Sequence, residues 1–274
     1  MRRCWLRLFL VAAVARAFAA PEEPQIGGET YDAETYNVEH VQEMDELEDY
    51  VCEHTNYKVH FYSRSPLVVY ISDFISPFER EHLKKITNGT FYRSGVVGDE
   101  GDVISEARTS QSATVGRDAV TDCISERARQ FQGLDVPSTH LEAIQLVKYG
   151  LGEQYDFHMD WFTHDTIGHN NLGIGGNRVS SFFAYVSVSD NIAGGGTNFP
   201  CLEPSPGKGW CKYVDCDEPW DAGVTFRPVE GNAVFWANLL DDGDGDERVL
   251  HAGLPVIRGE KLGMNIWTTQ SPCH

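Results

Sequence analysis

The densest run of chemically capable side chains is Tyr149-Gly150-Leu151-Gly152-Glu153-Gln154-Tyr155-Asp156-Phe157-His158-Met159-Asp160. His158 and Asp160 stand at i and i+2, and on a β-strand residues two apart share a face. One imidazole beside one carboxylate is two thirds of a facial triad, the donor set of non-haem Fe(II) oxygenases. The missing member is a histidine from elsewhere in the chain. His251 is the candidate, in Val249-Leu250-His251-Ala252-Gly253-Leu254-Pro255-Val256, and Lys261 follows ten residues on. Other chemistries find less support. Zinc sites built on paired C-x2-C spacings are absent, as is the G-x-S-x-G of serine hydrolases. Asp241-Asp242-Gly243-Asp244-Gly245-Asp246-Glu247 has the composition of a calcium loop without its spacing. An EF-hand needs Gly at the sixth position and Glu at the twelfth, where this sequence has Asp246 and Ala252. The segment reads as a polar turn, and His164 and His169 read as loop residues.

The elements that must hold these groups are mixed. Leu67–Ile71 is an apolar, β-branched run and predicts a strand. Ser76-Pro77-Phe78-Glu79 starts a helix, with a Ser N-cap, Pro at the first helical position and Glu placed for a capping box. That helix is expected to reach about Thr87. A second helix fits Ala119–Gln132, with Val120, Ile124, Ala128 and Phe131 spaced at three and four. After Pro137 strand-like runs recur at Glu142–Tyr149, Val179–Val188, Gly231–Trp236 and Met264–Thr268. Gly occupies 26 of 274 positions, above the usual share of about 7%, which suits a turn-rich chain. Two early helices followed by many strands argue an α+β fold in which a β-barrel or sandwich carries the chemistry.

Taken together, these stretches resemble the prolyl 4-hydroxylase family of Fe(II)- and 2-oxoglutarate-dependent dioxygenases. The matching segments run from about Val68 to Thr268. They include Arg108-Thr109-Ser110, Tyr149 to Asp160, Gly195-Gly196-Thr197-Asn198-Phe199-Pro200, Gly231-Asn232-Ala233-Val234-Phe235-Trp236, and His251 to Trp267. The resemblance implies a double-stranded β-helix (jelly-roll) core flanked by N-terminal helices. It implies His158, Asp160 and His251 as iron ligands, and Lys261 and Tyr149 at the distal carboxylate of 2-oxoglutarate, with Thr197 a further candidate for that pocket. A lysine buried in a barrel wants an anion, since an unpaired buried ammonium is costly. The implied reaction decarboxylates 2-oxoglutarate to succinate and CO2 while O2 hydroxylates a peptidyl proline, with ascorbate as reductant. Arg178 and Trp267 fall where the family has substrate-groove residues; by residue type alone, an ion-paired arginine and a core tryptophan explain them equally. Thr269 stands where relatives often carry a larger polar or basic residue.

Charge and targeting set the surroundings. Lys plus Arg is 22 against 41 acids, a formal net charge of −19, so nucleic acid and anionic membrane surfaces are excluded as partners. Residues 1–19 read as a secretory signal, with Arg2 and Arg3 ahead of an apolar run and Ala17-Phe18-Ala19 at the cleavage site. An uncleaved segment would instead anchor the chain to a membrane. Residues 20–54 read as an acidic, flexible arm, and 55–274 as the catalytic domain. The expected setting is the endoplasmic reticulum lumen or the exterior. Outside the signal stand Cys52, Cys123, Cys201, Cys211, Cys216 and Cys273, an even number that suggests disulfides, one of them local to Cys201–Cys216. Asn88-Gly89-Thr90 is a glycosylation sequon. The short acidic lead-in favours a monomer acting on a proline-containing peptide. The alternatives are the same chemistry on another side chain or a small molecule, a non-catalytic jelly-roll binding module, and a zinc hydrolase that leaves Lys261 and Tyr149 unexplained. Residues 162–177 suggest a lid over the site.

Overall fold

A computed structural model describes residues 50–98, 101–133, 135–163, 176–204, 207–219 and 222–273. The signal and nearly all of the acidic arm lie outside them, as do His164, His169 and most of the expected lid. Sixteen strands appear among the described residues: β1 (Lys58–Arg64), β2 (Leu67–Ser72), β3 (Tyr92–Arg93), β4 (Gly95–Gly98), β5 (Gly101–Ile104), β6 (Gln111–Thr114), β7 (Gln145–Tyr149), β8 (Tyr155–His158), β9 (Arg178–Val188), β10 (Ala193–Gly194), β11 (Thr197–Phe199), β12 (Val224–Phe226), β13 (Ala233–Ala237), β14 (His251–Gly253), β15 (Val256–Arg258) and β16 (Lys261–Thr269). An eight-stranded sheet runs β1-β2-β13-β9-β16-β7-β6-β3, and a four-stranded sheet runs β12-β11-β14-β8. This two-sheet, antiparallel core is consistent with a jelly roll.

The period of two along each strand decides what lies on either side of the large sheet. On β9 and β13, Phe183, Tyr185, Val234 and Trp236 point toward the small sheet and join Tyr149, Phe199 and Phe226 in the core. Phe182 and Phe235 take the opposite face, where both meet Phe131 at 5.5 and 5.0 Å between ring centroids. Phe131 belongs to the second of two helices, α1 (Pro77–Ile86) and α2 (Ala119–Gln132). Each starts on a capping box, Ser76 with Glu79 and Asp118 with Thr121, as expected at Ser76. Among the described residues these are the two α-helices, both after β1 and β2 in the chain, so a flank of helices ahead of the core is not confirmed.

A buried ion pair locks α1 to α2. Arg127 makes two hydrogen bonds to Glu79, at 2.9 and 2.6 Å, and others to the carbonyls of Phe74 and Glu53. Breaking such a pair is costly, since one charge is left buried and unpaired. The Cys52–Cys123 disulfide ties the same entry segment to α2 across a sequence separation of 71, a closure worth about 4 kcal/mol in the chain-entropy account. Cys211–Cys216 is the expected local bridge. Cys273 carries a free thiol and does not join a disulfide.

Candidate metal and co-substrate site

β8 and β14 are neighbours in the small sheet, and their register sets His158 directly opposite His251. The cross-strand pair brings together two imidazoles from distant parts of the chain. Asp160 is not on the strand, as the i, i+2 reading assumed. β8 ends at His158 and Asp160 sits in the bend beyond it. The bend still delivers the carboxylate, and ligand atoms of His158, Asp160 and His251 lie within 4.8 Å of one another.

Each imidazole is oriented from behind. His158 Nδ1 meets the Asp156 carbonyl at 2.7 Å and His251 Nδ1 meets the Val249 carbonyl at 3.0 Å. A carbonyl only accepts, so both Nδ1 atoms carry a hydrogen and each Nε2 is the nitrogen turned toward the other ligand groups. Those Nε2 atoms stand 3.8 Å from Asp160 Oδ1 and Oδ2 respectively. Burial, reinforced by His251, holds His158 well below the usual imidazole range. Burial works against the Asp160 charge, but His251, His158 and Arg178 outweigh it and keep its carboxyl below the usual range. Two imidazoles and one ionised carboxylate, with no thiolate, fit a six-coordinate Fe(II) that keeps positions open for other ligands.

The triad opens on a cleft of about 620 Å³. Tyr149, Thr197, Arg178 and Trp267 all line it. Lys261, at the start of β16, pairs with Tyr149 on β7 and is 1% exposed. Its Nζ donates to the Gly195 carbonyl and lies 4.4 Å from the Tyr149 ring centroid. Gly194 and Gly196 flank that carbonyl and could carry no side chain. A Cβ at Gly194 would stand 2.3 Å from the Pro255 carbonyl, and one at Gly196 2.4 Å from Thr225 Cγ2. Burial pushes the Tyr149 hydroxyl up to about 12, so it is a donor at neutral pH. Thr197 shares a 2.8 Å hydrogen bond with the Tyr185 hydroxyl.

Lys261 has no ion-pair partner among the described residues, and burial alone pushes it down to about 7. The ordinary value is 10.5. Between these limits the unfolded chain binds a proton that the folded chain does not, so stability of the ligand-free protein should rise with pH. Below about 7 both states are protonated and the contribution is flat. Urea midpoints measured from neutral pH upward should climb more steeply for the wild type than for Lys261→Met, which lacks the titrating group. Equal slopes would mean that the ammonium is not desolvated.

Arg178 and Trp267 line the cleft, and each also has the ordinary structural role its residue type suggests. Arg178 is ion-paired, with Nε and Nη2 on Glu142 at 2.6 and 2.8 Å. It also lies 3.8 Å above the Trp267 ring and 5.0 Å from Phe162. Trp267 is 8% exposed, yet its ring walls the cleft. Thr269 is buried against the carbonyls of His140 and Ser271 and does not line the cleft. Arg108 is a cleft residue that sequence reasoning left without a role, although it opens the Arg-Thr-Ser triplet. Its guanidinium covers Tyr155 at 4.6 Å, and Tyr155 stacks on His158 at 3.6 Å.

Comparison with known proteins agrees with this geometry. The 2OG-Fe(II) oxygenase superfamily profile matches residues 144–269, the span that contains every triad ligand and Lys261. Prolyl 4-hydroxylase 1 of Arabidopsis thaliana is 33% identical over 221 residues, covering 78% of this chain and 73% of that protein. Prolyl 4-hydroxylase 2 of the same plant is 30% identical over 215 residues, covering 77% and 69%. The rat prolyl 4-hydroxylase subunit alpha-1 is 32% identical over 207 residues, 74% of this chain but 34% of that subunit. A viral collagen prolyl hydroxylase from Paramecium bursaria Chlorella virus-1, solved as a 2OG complex, shares the fold with a TM-score of 0.51 at 22% identity, covering 80% of this chain and 98% of that one. Identity of this extent over most of two whole relatives places the chain in the prolyl 4-hydroxylase family.

Proposed function

We propose that this protein hydroxylates peptidyl proline on a jelly-roll frame, with Fe(II) as cofactor, 2-oxoglutarate and O2 consumed, and ascorbate as reductant. The observation that carries the reading is the buried Lys261 ammonium beside Tyr149, without an ion-pair partner among the described residues, in the fold that also assembles the His158–Asp160–His251 triad. A dicarboxylate supplies the anion that Lys261 lacks. Its distal carboxylate takes Lys261 and the Tyr149 hydroxyl, with Thr197 close by. His158, Asp160 and His251 hold the iron. Bound Fe(II) supplies the redox chemistry by which 2-oxoglutarate, O2 and a C–H bond become succinate, CO2 and C–OH. The aromatic walls exclude water and stray C–H bonds from that centre.

Arg178 and Trp267 are assigned to the peptide. Glu142 fixes the guanidinium against the Trp267 face, and the donors it leaves over can bind a peptide carbonyl. A tryptophan face suits a proline ring. Arg178→Ala should raise the peptide KM by about 10-fold or more, the worth of a charged hydrogen bond. The 2-oxoglutarate KM should hold. Equal rises in both constants would argue that Arg178 merely supports the cleft wall.

The disulfides Cys52–Cys123 and Cys211–Cys216 support an oxidising compartment, hence a secretory-pathway setting with residues 1–19 as signal. Asn88 is exposed in the turn after α1 and open to glycosylation. We take the working unit to be a monomer. The deciding experiment is succinate release with Fe(II), 2-oxoglutarate and ascorbate, with and without a proline-rich peptide, while peptide mass is followed. Peptide-stimulated succinate with one oxygen gained on proline establishes the reading. Succinate without peptide change moves the substrate to another side chain or a small molecule. Bound iron without any succinate leaves a non-catalytic binding module.

A further inference from the structure

Asp160 has a neighbour that neither the triad nor the co-substrate pocket accounts for. Ser181 on β9 is fully buried, and its Oγ lies 2.6 Å from Asp160 Oδ2. Asn238, also fully buried and next after β13, places its Nδ2 2.9 Å from the same Oγ. The hydrogens in this chain can run only one way. An ionised carboxylate accepts and never donates, so the serine hydroxyl must give its single hydrogen to Asp160. Ser181 then has only lone pairs to offer Asn238, so the amide nitrogen must face it. Both dipoles therefore point at Oδ2, which also stands 3.8 Å from His251 Nε2, as Oδ1 does from His158 Nε2.

The acidic turn that follows packs against the residue next to Asp160. Asp246 N–H bonds the Asn238 carbonyl at 2.8 Å and closes the turn. Within it, Gly245 lies flat against Trp161, the residue after Asp160. A Cβ there would fall 2.1 Å from Trp161 Cδ2. The same stretch continues to Val249, whose carbonyl orients His251. One segment, residues 238–251, thus reaches Asp160 through Ser181, packs on the Trp161 ring beside it, and carries His251 itself. This gives the Asp-Gly-rich run a use that its composition did not suggest.

We infer that Ser181, anchored by Asn238, is a positioning residue of the metal centre, pinning Asp160 Oδ2 so that the carboxylate keeps its orientation between His158 and His251. The inference rests on the metal assignment made above. Groups that orient a metal ligand from behind typically change affinity by about 10- to 100-fold when removed. The test is titration of the full-length chain with Co(II), a redox-stable probe, by calorimetry. Ser181→Ala should weaken Co(II) by about 10- to 100-fold while the thermal midpoint of the metal-free protein stays near that of the wild type. Ser181→Thr, which keeps the hydroxyl, should restore Co(II) binding. Should Ser181→Ala fail to fold, Asn238→Ala is read instead, since it keeps the serine but removes its anchor, and it too should weaken Co(II). Wild-type Co(II) affinity in Ser181→Ala, or equal weakening in Ser181→Ala and Ser181→Thr, overturns the inference. His158→Ala separates the two levels: if it retains Co(II), the metal assignment itself fails. If it loses Co(II) while Ser181→Ala does not, only the role of Ser181 fails.

Discussion

His158→Ala and His251→Ala should each yield a folded protein with no measurable Fe(II) binding and turnover below about 1% of wild type. The bound is conservative, because loss of a group merely orienting a ligand already costs about 10- to 100-fold, and these substitutions remove the ligand itself. Folding should survive because neither ring is a main support of the core. His158 is partly exposed on the outermost strand of the small sheet. His251 is buried, but Phe199 and Trp236 pack against each other around it at 5.3 Å. The check is Fe(II) titration alongside circular dichroism. A variant that keeps its spectrum and still binds Fe(II) with wild-type affinity would remove that histidine from the ligand set.

Lys261→Ala should raise the 2-oxoglutarate KM by about 100-fold or more. Removing one partner of a buried ion pair costs about 3–5 kcal/mol, and 1.4 kcal/mol is a factor of about ten in binding. The Fe(II) affinity should stay near wild type, since Lys261 meets Gly195 and Tyr149 rather than any triad residue. The ligand-free variant should also resist urea better at neutral pH than the wild type. A cation held without an anion destabilises the fold, and the alanine relieves that burden at the expense of a small cavity. Higher KM with higher stability is the signature of a residue kept for its ligand. Unchanged KM would make Lys261 structural.

The parts of this protein that were legible in its sequence are those where one residue type does one physical job. Ser76-Pro77-Phe78-Glu79 announced a helix start because capping needs few alternatives. Leu67–Ile71 announced a strand because a strand buried on both faces has no polar positions. Residues 119–132 carried an unbroken helical period, and α2 has those bounds. The short strands β8, β11, β12 and β14 were illegible as elements, because three or four residues hold too little pattern to show a period. The triad was readable by residue type while its local geometry was not: Asp160 lies in a bend, which spacing alone cannot distinguish from a strand. Ser181 and Asn238 were invisible for another reason. A serine in a strand and an asparagine after one are ordinary, and only the register of β9 against β13, with Trp236 opposite Ser181, brings them together beneath the carboxylate.

The place of β16 in the large sheet bears on how the protein is made. It is the last strand in chain order, yet it lies between β9 and β7 and pairs with both along most of its length. β2, near the other end of the domain, likewise waits for β13. Such long-range pairings fold slowly, because loop-closure entropy is lost before the contacts that repay it can form. During synthesis the buried faces of β7 and β9 must therefore stay soluble until Lys261–Thr269 has emerged. A nascent chain stopped before Lys261 holds β7 and β9 as two raw edges, the situation that favours sticking to other chains. The Lys261–Tyr149 pocket is thus the product of a late step, completed only when the central strand slots home.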